Sequence, residues 1–360
     1  MSANKPLFSH LNSLVYEGLE EAVKKLSKEE QQKFFESEKL DSVLNDSVSD
    51  IASTFVAKVN KEAAKDFRRD KRYQKRFERR LARRFNPYFK ELYGLTNLCI
   101  EVIQHHRDYI HEHKVIKNKK QASQYGVIIR LHARALRICN EVRSLMEAGY
   151  ATGALSRWRA LHELTATINF LTHNLDAVEL FLEHDKVLSY EAMLDLNKYS
   201  DLLVLEAYTN HEVAMARRIR KNLINKHGND IKHPYGWLKV YSHGKIKTFR
   251  DLEEQYGQEQ LRPYYRYASY GIHANAKSLR SGEENSALEN ENVILVGASD
   301  GGMEEVAQLT PISISFATIS ILCNLSPSAA SIVAARTVML KQEQLRDTFT
   351  NVSLPDAKTE

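Results

Sequence analysis

The chain has 360 residues, a formal net charge of +5 and 43% hydrophobic residues, enough for a sizeable core, which excludes a largely disordered chain. Glycine and proline are scarce, at 14 and 7 residues, so the composition predicts a mostly α protein. The three cysteines, Cys99, Cys139 and Cys323, are far apart and form no CxxC pair. This usage predicts neither a disulfide framework nor a cysteine zinc site, and it favours a cytoplasmic location.

The first 90 residues are predicted to form an N-terminal helical extension. Apolar residues recur at three- and four-residue steps over residues 44–59, which indicates a helix. The helix leads into residues 65–90, where twelve Lys or Arg residues stand against three acidic ones. Asn86 and Pro87 predict the end of this basic helix, and with it a domain boundary near residue 90.

Residues 91–350 are predicted to form a multi-helix bundle, the domain that carries the candidate site. The apolar run over residues 312–325 is too short to cross a bilayer and contains polar residues, so it predicts a buried helix and no membrane contact. One short strand or hairpin is predicted near residues 293–300. Helices are predicted over residues 92–116, 121–148, 153–173, 176–206, 208–226, 248–256, 260–280, 303–324 and 327–346.

An arginine and a histidine, Arg266 and His273, are seven positions apart on the predicted helix 260–280. Seven residues fall within roughly 20° of two full turns, so both side chains leave one face. Histidine transfers protons near neutral pH, and arginine stabilises a developing negative charge. Tyr270 and Lys277 share this polar stripe and are candidates for positioning a phosphate. The alternative is a solvated basic face without catalytic function.

A second group of polar residues lies on the predicted helix 153–173, which is apolar nearly all round. Arg157 is predicted to project into the apolar face, and Arg159 and Glu163 are spaced to pair along the helix. Arg157 and His162 are about 140° apart and cannot share a small ligand. The group either links bundle helices through ion pairs or forms a second wall of the site that holds His273.

The basic helix interleaves arginines with aromatic residues, a pattern that suits a nucleic-acid backbone. An anionic membrane, an acidic protein partner and a merely solvated face are the alternatives. Histidines at 105, 106, 111 and 113 lack metal-ligand spacing, and no P-loop or GxGxxG motif occurs, so neither a metal nor a cofactor is expected. The candidate nucleic-acid contacts are Arg72, Arg76, Arg79, Arg80, Arg83 and Arg84.

The Arg266-x6-His273 pattern resembles the Arg-x4–6-His motif of the HEPN nucleases, a superfamily of helical bundles. Arg157-x4-His162 also fits the Arg-x4–6-His motif, but only Arg266 and His273 meet the same-face condition. The resemblance covers about residues 95–330 and leaves the basic helix outside.

The layout also resembles bacterial families of unknown function. These combine a helix bearing an Arg-x3-Glu pair with a later Tyr-x3-Ser-x3-His element. In this chain the pair is Arg159 and Glu163, and the later element is Tyr265, Ser269 and His273.

The HEPN resemblance implies metal-independent cleavage of single-stranded RNA, with His273 and Arg266 as catalytic residues. It also implies a toxin or antiviral-defence role and a homodimer. The alternative is a non-enzymatic helical module that binds nucleic acid or a protein partner through the basic helix.

Overall fold

The computed structural model describes residues 20, 23–24, 27–28, 38–272 and 297–353, with side chains of the first long helix described from residue 48. These residues contain ten α-helices, two short 3-10 helices and no strand, so the predicted mostly α multi-helix bundle is confirmed. Of the predicted strand, residues 293–296 lie outside the described ranges, and residues 297–300 are irregular.

The helices agree closely with the sequence prediction over residues 119–227 and 249–255 and again after residue 303, whereas the short helices within residues 229–241 were not predicted. The 3-10 helices are Asn229–Lys232 and Glu259–Leu261. The α-helices are α1 (Glu38–Glu112), α2 (Lys119–Glu147), α3 (Ala151–His173), α4 (Ala177–Leu203), α5 (Asn210–His227), α6 (Gly236–Tyr241), α7 (Phe249–Gln255), α8 (Arg262–Tyr270), α9 (Met303–Asn324) and α10 (Ala329–Ser353).

The chain divides into two compact units, Met1–Arg76 and Phe77–Glu360. The described part of the first unit is helical, and most of its described side chains are exposed. The second unit contains the main hydrophobic core, whose buried members run from Leu81 to Phe349. The division therefore falls within α1, whereas the sequence predicted it near residue 90.

The predicted helix end at Asn86 and Pro87 is wrong, because α1 continues through Pro87 to Glu112. A proline inside a helix removes one backbone hydrogen bond and costs roughly 3 kcal/mol. Pro87 lies on the exposed side of α1, while its neighbours Phe85, Tyr88 and Phe89 are buried in the core. Burying each large apolar side chain contributes about 1.5–3 kcal/mol, which offsets the proline.

Helix α9 lies at the centre of the second unit and packs against α3, α10 and α2. Pro311 lies inside α9 and leaves the carbonyl of Ala307, four residues earlier, without its helical N–H donor. The buried Tyr88 hydroxyl donates to that carbonyl at 2.7 Å. Trp158 of α3 is fully buried and donates to the carbonyl of Leu309 at 3.1 Å. These side chains fix α1 and α3 against the part of α9 that precedes Pro311.

By length and composition alone, α9 is the one helix in the described ranges that could cross a membrane. Within the protein, 72% of its most apolar window is buried. Its polar residues Ser313, Ser315 and Thr318 are buried as well. The helix is a core element of the bundle, as was predicted for residues 312–325. Its apolar character is explained by this burial and gives little support for a membrane span.

A buried histidine on α2 makes the stability of this core depend on pH. The Thr318 hydroxyl donates to the Ile314 carbonyl, so it accepts from His132 Nε2, 2.9 Å away. Burial lowers the pKa of His132 from 6.5 to about 4. On acidification the unfolded chain takes up this proton near pH 6.5, and the folded chain only near pH 4. The stabilisation is therefore complete above pH 6.5 and is lost as the pH falls towards 4.

We expect His132→Gln to flatten the acid limb of the stability profile, since glutamine can still bond Thr318 but does not titrate. The histidine contributes on the order of 3 kcal/mol to the fall in the free energy of unfolding across that window. Urea unfolding at pH 7.5, 6 and 5 measures the slope. The exposed His211→Gln should retain the wild-type slope, and an equally steep slope in His132→Gln would refute the assignment.

Candidate functional site

Helix α8 meets α3 through Tyr265, which joins the two groups of residues that the sequence had marked separately. The buried Tyr265 hydroxyl donates to Glu163 Oε1 at 2.5 Å and accepts from Arg159 Nη2 at 2.8 Å. Arg159 and Glu163 also pair along α3 at 3.4 Å, as predicted from their spacing. We call Arg159, Glu163 and Tyr265 the Glu163 cluster.

Tyr265 is a hydrogen-bond donor throughout the neutral pH range. Burial, reinforced by the Glu163 carboxylate, raises its pKa to about 12. The Arg159 guanidinium lies over the tyrosine ring, 4.6 Å from its centroid. The cluster therefore holds a carboxylate, a guanidinium and a protonated phenol in fixed geometry, although Glu163 remains more than a third exposed at 37%.

A second network, centred on the fully buried Glu253, lies next to the cluster and connects α3, α7 and α8. His162 Nε2 donates to Glu253 Oε1 at 2.8 Å, and Arg262 Nη1 donates to Glu253 Oε2 at 2.7 Å. Both His162 and Glu253 have no exposed surface. The imidazole also stacks on the Trp158 ring, with centroids 5.3 Å apart. His162 therefore has a structural environment that no substrate atom reaches. We call His162, Glu253 and Arg262 the Glu253 network.

The prediction that Arg157 projects into the apolar face of the helix is wrong. Its side chain is 42% exposed, and its Nη2 atom pairs with Glu141 Oε2 of α2 at 2.6 Å. The side chain reaches α2 because that neighbouring helix supplies a carboxylate at the edge of the interface. Arg157 and His162 therefore have different partners on different sides of α3, in agreement with the angle between them.

Arg266 differs from the other arginines around the site. Arg157, Arg159 and Arg262 each face a carboxylate. Arg266 is exposed, and it has no ion-pair or hydrogen-bond partner among the residues that the structure describes. Its guanidinium is available to an anion from solution. His273 and Lys277 lie outside the described residues.

The predicted helix 260–280 is shorter in the structure, where α8 begins at Arg262 and ends at Tyr270. Gly271 caps it, and Ile272 continues the turn. A Cβ atom on Gly271 would lie 3.1 Å from Thr152 Cγ2 of α3, so the end of α8 packs closely against the start of α3. The same-face argument for Arg266 and His273 assumed an uninterrupted helix. Tyr270 is half-buried, with its ring against Tyr267 at 6.5 Å.

All six candidate arginines of the basic helix are exposed, and they are divided between the two units. Arg72 and Arg76 belong to the first unit. In the second unit, Arg80 lies over the Phe77 ring at 5.2 Å, and Arg84 Nε donates to the Val352 carbonyl at 3.0 Å. Arg79 and Arg83 are exposed, and neither has a carboxylate partner among the described side chains.

Sequence reasoning missed Glu253, Arg262 and Tyr235. Phe249, Leu252 and Glu253 follow a helical i, i+3, i+4 spacing and are all buried. A carboxylate in such an apolar stripe signals a buried partner, and this spacing could have identified Glu253. The identity of the partner could not be read, because His162 is 91 residues away. Within the described ranges, no group of three or more His, Cys, Asp or Glu residues is arranged to hold a metal ion.

The described fold and site define an all-α bundle protein with a carboxylate–guanidinium–tyrosine cluster beside one unpaired arginine. Residues 125–287 match the sequence profile of a family of unknown function, DUF5677. The match covers less than half of the chain, and it includes the Glu163 cluster, the Glu253 network, Arg266 and His273. The basic helix lies outside it. No curated protein and no solved structure matches the chain.

Proposed function

We propose that this chain is a metal-independent endoribonuclease that cleaves unpaired RNA, with Arg266 and His273 as its catalytic residues. The resemblance of Arg266-x6-His273 to the HEPN motif motivates the proposal. The observation that carries it is the state of Arg266. Of the four arginines on α3 and α8, it is the one that the described structure leaves exposed and without a carboxylate.

The pairing of the neighbouring arginines makes this difference meaningful. Glu163 and Glu253 neutralise Arg159 and Arg262 and hold them in place, so these two side chains stabilise the junction of α3, α7 and α8. An unpaired guanidinium on the same helix as Arg262 can donate two parallel hydrogen bonds to a phosphate. Arg159 and Arg262 thus position α8, and Arg266 binds the substrate.

The proposed reaction is a transfer of the phosphodiester to its own ribose. His273 accepts the proton of a 2′-hydroxyl, the 2′-oxygen forms a bond to phosphorus, and the bond to the 5′-oxygen breaks. The leaving 5′-oxygen takes up a proton from water, and the protonated His273 returns its proton to the resulting hydroxide. The products are a 2′,3′-cyclic phosphate and a free 5′-hydroxyl. Arg266 stabilises the negative charge that accumulates on the phosphoryl oxygens. The RNA must be unpaired for its backbone to enter the site.

The second unit offers a further contact for RNA in the exposed arginines of α1. Arg79 and Arg83 face solvent without carboxylate partners in the described structure. Each phosphate that such residues neutralise adds salt-dependent affinity without sequence preference. We propose that these arginines hold the RNA backbone and leave the chemistry to α8.

The test is cleavage of an unstructured RNA by the purified full chain in the presence of EDTA. We expect Arg266→Ala to reduce the rate by roughly 10²–10³-fold, the usual loss when one charge-stabilising donor is removed. Arg218→Ala is the matched control, since Arg218 is also exposed and has no partner among the described residues of α5 and its surroundings. Equal rates in the two variants would contradict the proposal.

The toxin or antiviral-defence role and the homodimer belong to the same proposal and rest on the same resemblance. The rival function is a non-enzymatic module that binds nucleic acid or a protein partner through α1. Binding of RNA without cleavage by the wild-type chain would favour that rival and exclude the nuclease.

A further inference from the structure

A cleft of about 310 Å³ lies beside Glu163 and is bordered by α2, α3, α4, α6 and α7. Its volume is at the lower end of the range for small-molecule sites. Its walls are mostly apolar and include four aromatic rings. Phe181 and Trp237 pack edge to face at 5.0 Å, and Phe249 lies 6.2 Å from Tyr235 in a near-parallel stack.

The backbone beside the cleft is tightly packed, which fixes the position of Tyr235. A Cβ atom on Gly236 would come within 2.6 Å of the carbonyl oxygens of Asp230 and Ile231, so only glycine fits there. The Tyr235 hydroxyl has no hydrogen-bond partner among the described residues. Burial raises the pKa of Tyr235 well above its usual range, and the hydroxyl remains a donor.

Glu163 gives the cleft a carboxylate oxygen that is open to a ligand. Tyr265 and Arg159 both contact Oε1 of this carboxylate. Its Oε2 atom has no partner within the part of the chain that the structure describes. A carboxylate oxygen beside apolar walls is stabilised by N–H donors from a ligand.

The cleft also contains one unpaired positive charge, Arg134 of α2. Its side chain is exposed and has no carboxylate partner in the described ranges. The His184 side chain contributes no charge near neutral pH, because burial lowers its pKa and its Nε2 atom donates to the His233 carbonyl at 2.8 Å. The described lining thus offers one acceptor carboxylate, one guanidinium and flat aromatic walls.

We propose that this cleft binds a nucleotide, with the N–H edge of the base on Glu163, the base against the aromatic walls and the phosphate on Arg134. Carboxylates accept from exocyclic amines and ring N–H groups of bases, aromatic side chains pack on their faces, and arginine binds phosphate. The nucleotide is either free in solution or one residue of an RNA chain. The second source rests on the proposed ribonuclease function, whereas nucleotide binding itself does not.

The experiment measures binding of the four ribonucleoside 5′-monophosphates to the full chain by calorimetry. We expect at least one to bind, and we expect Glu163→Gln and Arg134→Ala each to weaken it about tenfold or more. Arg137→Ala is the matched control and should bind as wild type. Arg137 lies three residues from Arg134 on α2, is 82% exposed, and pairs with Glu141 outside the cleft.

A third variant separates loss of the ligand from loss of the fold. Ala160 lines the cleft, so Ala160→Leu narrows it and leaves every charge and side-chain hydrogen bond in place. We expect this variant to unfold as wild type does and to lose the nucleotide. Failure of all four nucleotides to bind at about 10 mM, or wild-type affinity in Glu163→Gln or Ala160→Leu, would overturn the proposal.

Competition identifies the source of the nucleotide. Displacement by an unstructured RNA rich in the preferred base assigns the cleft to an RNA residue, and failure to displace assigns it to a free nucleotide. Both results require that the cleft binds a nucleotide. His273→Ala separates the two proposals, since it should abolish cleavage and leave nucleotide affinity unchanged. If the chain binds a nucleotide but cleaves no RNA, the nucleotide site is supported and the ribonuclease proposal is contradicted.

Discussion

Replacement of Glu253 by alanine is expected to lower the free energy of unfolding by about 3–5 kcal/mol, the usual effect of removing one partner from a buried ion pair. The carboxylate has no exposed surface and accepts from both His162 and Arg262. Its loss leaves the buried imidazole N–H without an acceptor and the Arg262 guanidinium without its counter-charge. The cavity left by the missing side chain adds to the cost.

The next residue along α7 provides the control. Glu254 is 49% exposed and pairs with the exposed Arg250, so Glu254→Ala should change the free energy of unfolding by less than about 1 kcal/mol. Urea unfolding of the two variants at pH 7.5 makes the comparison. Similar losses in both variants would show that the Glu253 network does not hold α7 and α8 to α3.

The stability of the network also has a consequence for the site. Arg262 begins α8, and Tyr265 and Arg266 follow within the next turn. Because the Glu253 network fixes the start of that helix, we infer that it also sets where Arg266 points. Glu253 is therefore a positioning residue, which acts on Arg266 through Arg262 and α8.

Removal of His273 is expected to have the largest effect on activity. We expect His273→Ala to reduce cleavage of unpaired RNA by about 10²–10⁴-fold, the usual contribution of a general acid–base residue. The free energy of unfolding should stay close to that of the wild type. Gel analysis of an end-labelled RNA in the presence of EDTA measures the rate.

His211→Ala is the control for this variant, since His211 is an exposed histidine at the start of α5 within the region that matches the family of unknown function. It should cleave as wild type does. A wild-type rate in His273→Ala would exclude the proposed proton transfer. If His273→Ala loses both the cleavage activity and the native fold, His273 has a structural role instead.

The helical architecture could be predicted from the sequence because it depends on local apolar periodicity and on residues that begin or end helices. The apolar residues of α3 and α9 place those helices to within a few residues. Pro87 misled the prediction, because the cost of a proline is local, whereas the buried aromatic residues that offset it depend on tertiary packing. The end of α8 at Tyr270 was also missed, and Gly271, which follows it, packs closely against Thr152 of α3.

The candidate site was only partly predictable for a related reason. Arg159 and Glu163 are one helical turn apart, so their pairing follows from spacing. Tyr265 was marked by the resemblance to families of unknown function, and the structure places its hydroxyl on Glu163. The roles of His162 and Glu253 depend on the packing of α7 against α3, which no local pattern specifies.

The central claim is that Arg266 and His273 act together on one phosphodiester. The most direct measurement is the rate of RNA cleavage, with EDTA present, by the wild type, the two alanine variants and the double variant. Residues of one catalytic unit are strongly non-additive, so we predict that the double variant is no slower than the worse single variant, within about threefold. Products ending in a 2′,3′-cyclic phosphate should appear only with an active chain. Independent, multiplicative losses, or no cleavage by the wild type, would contradict the account.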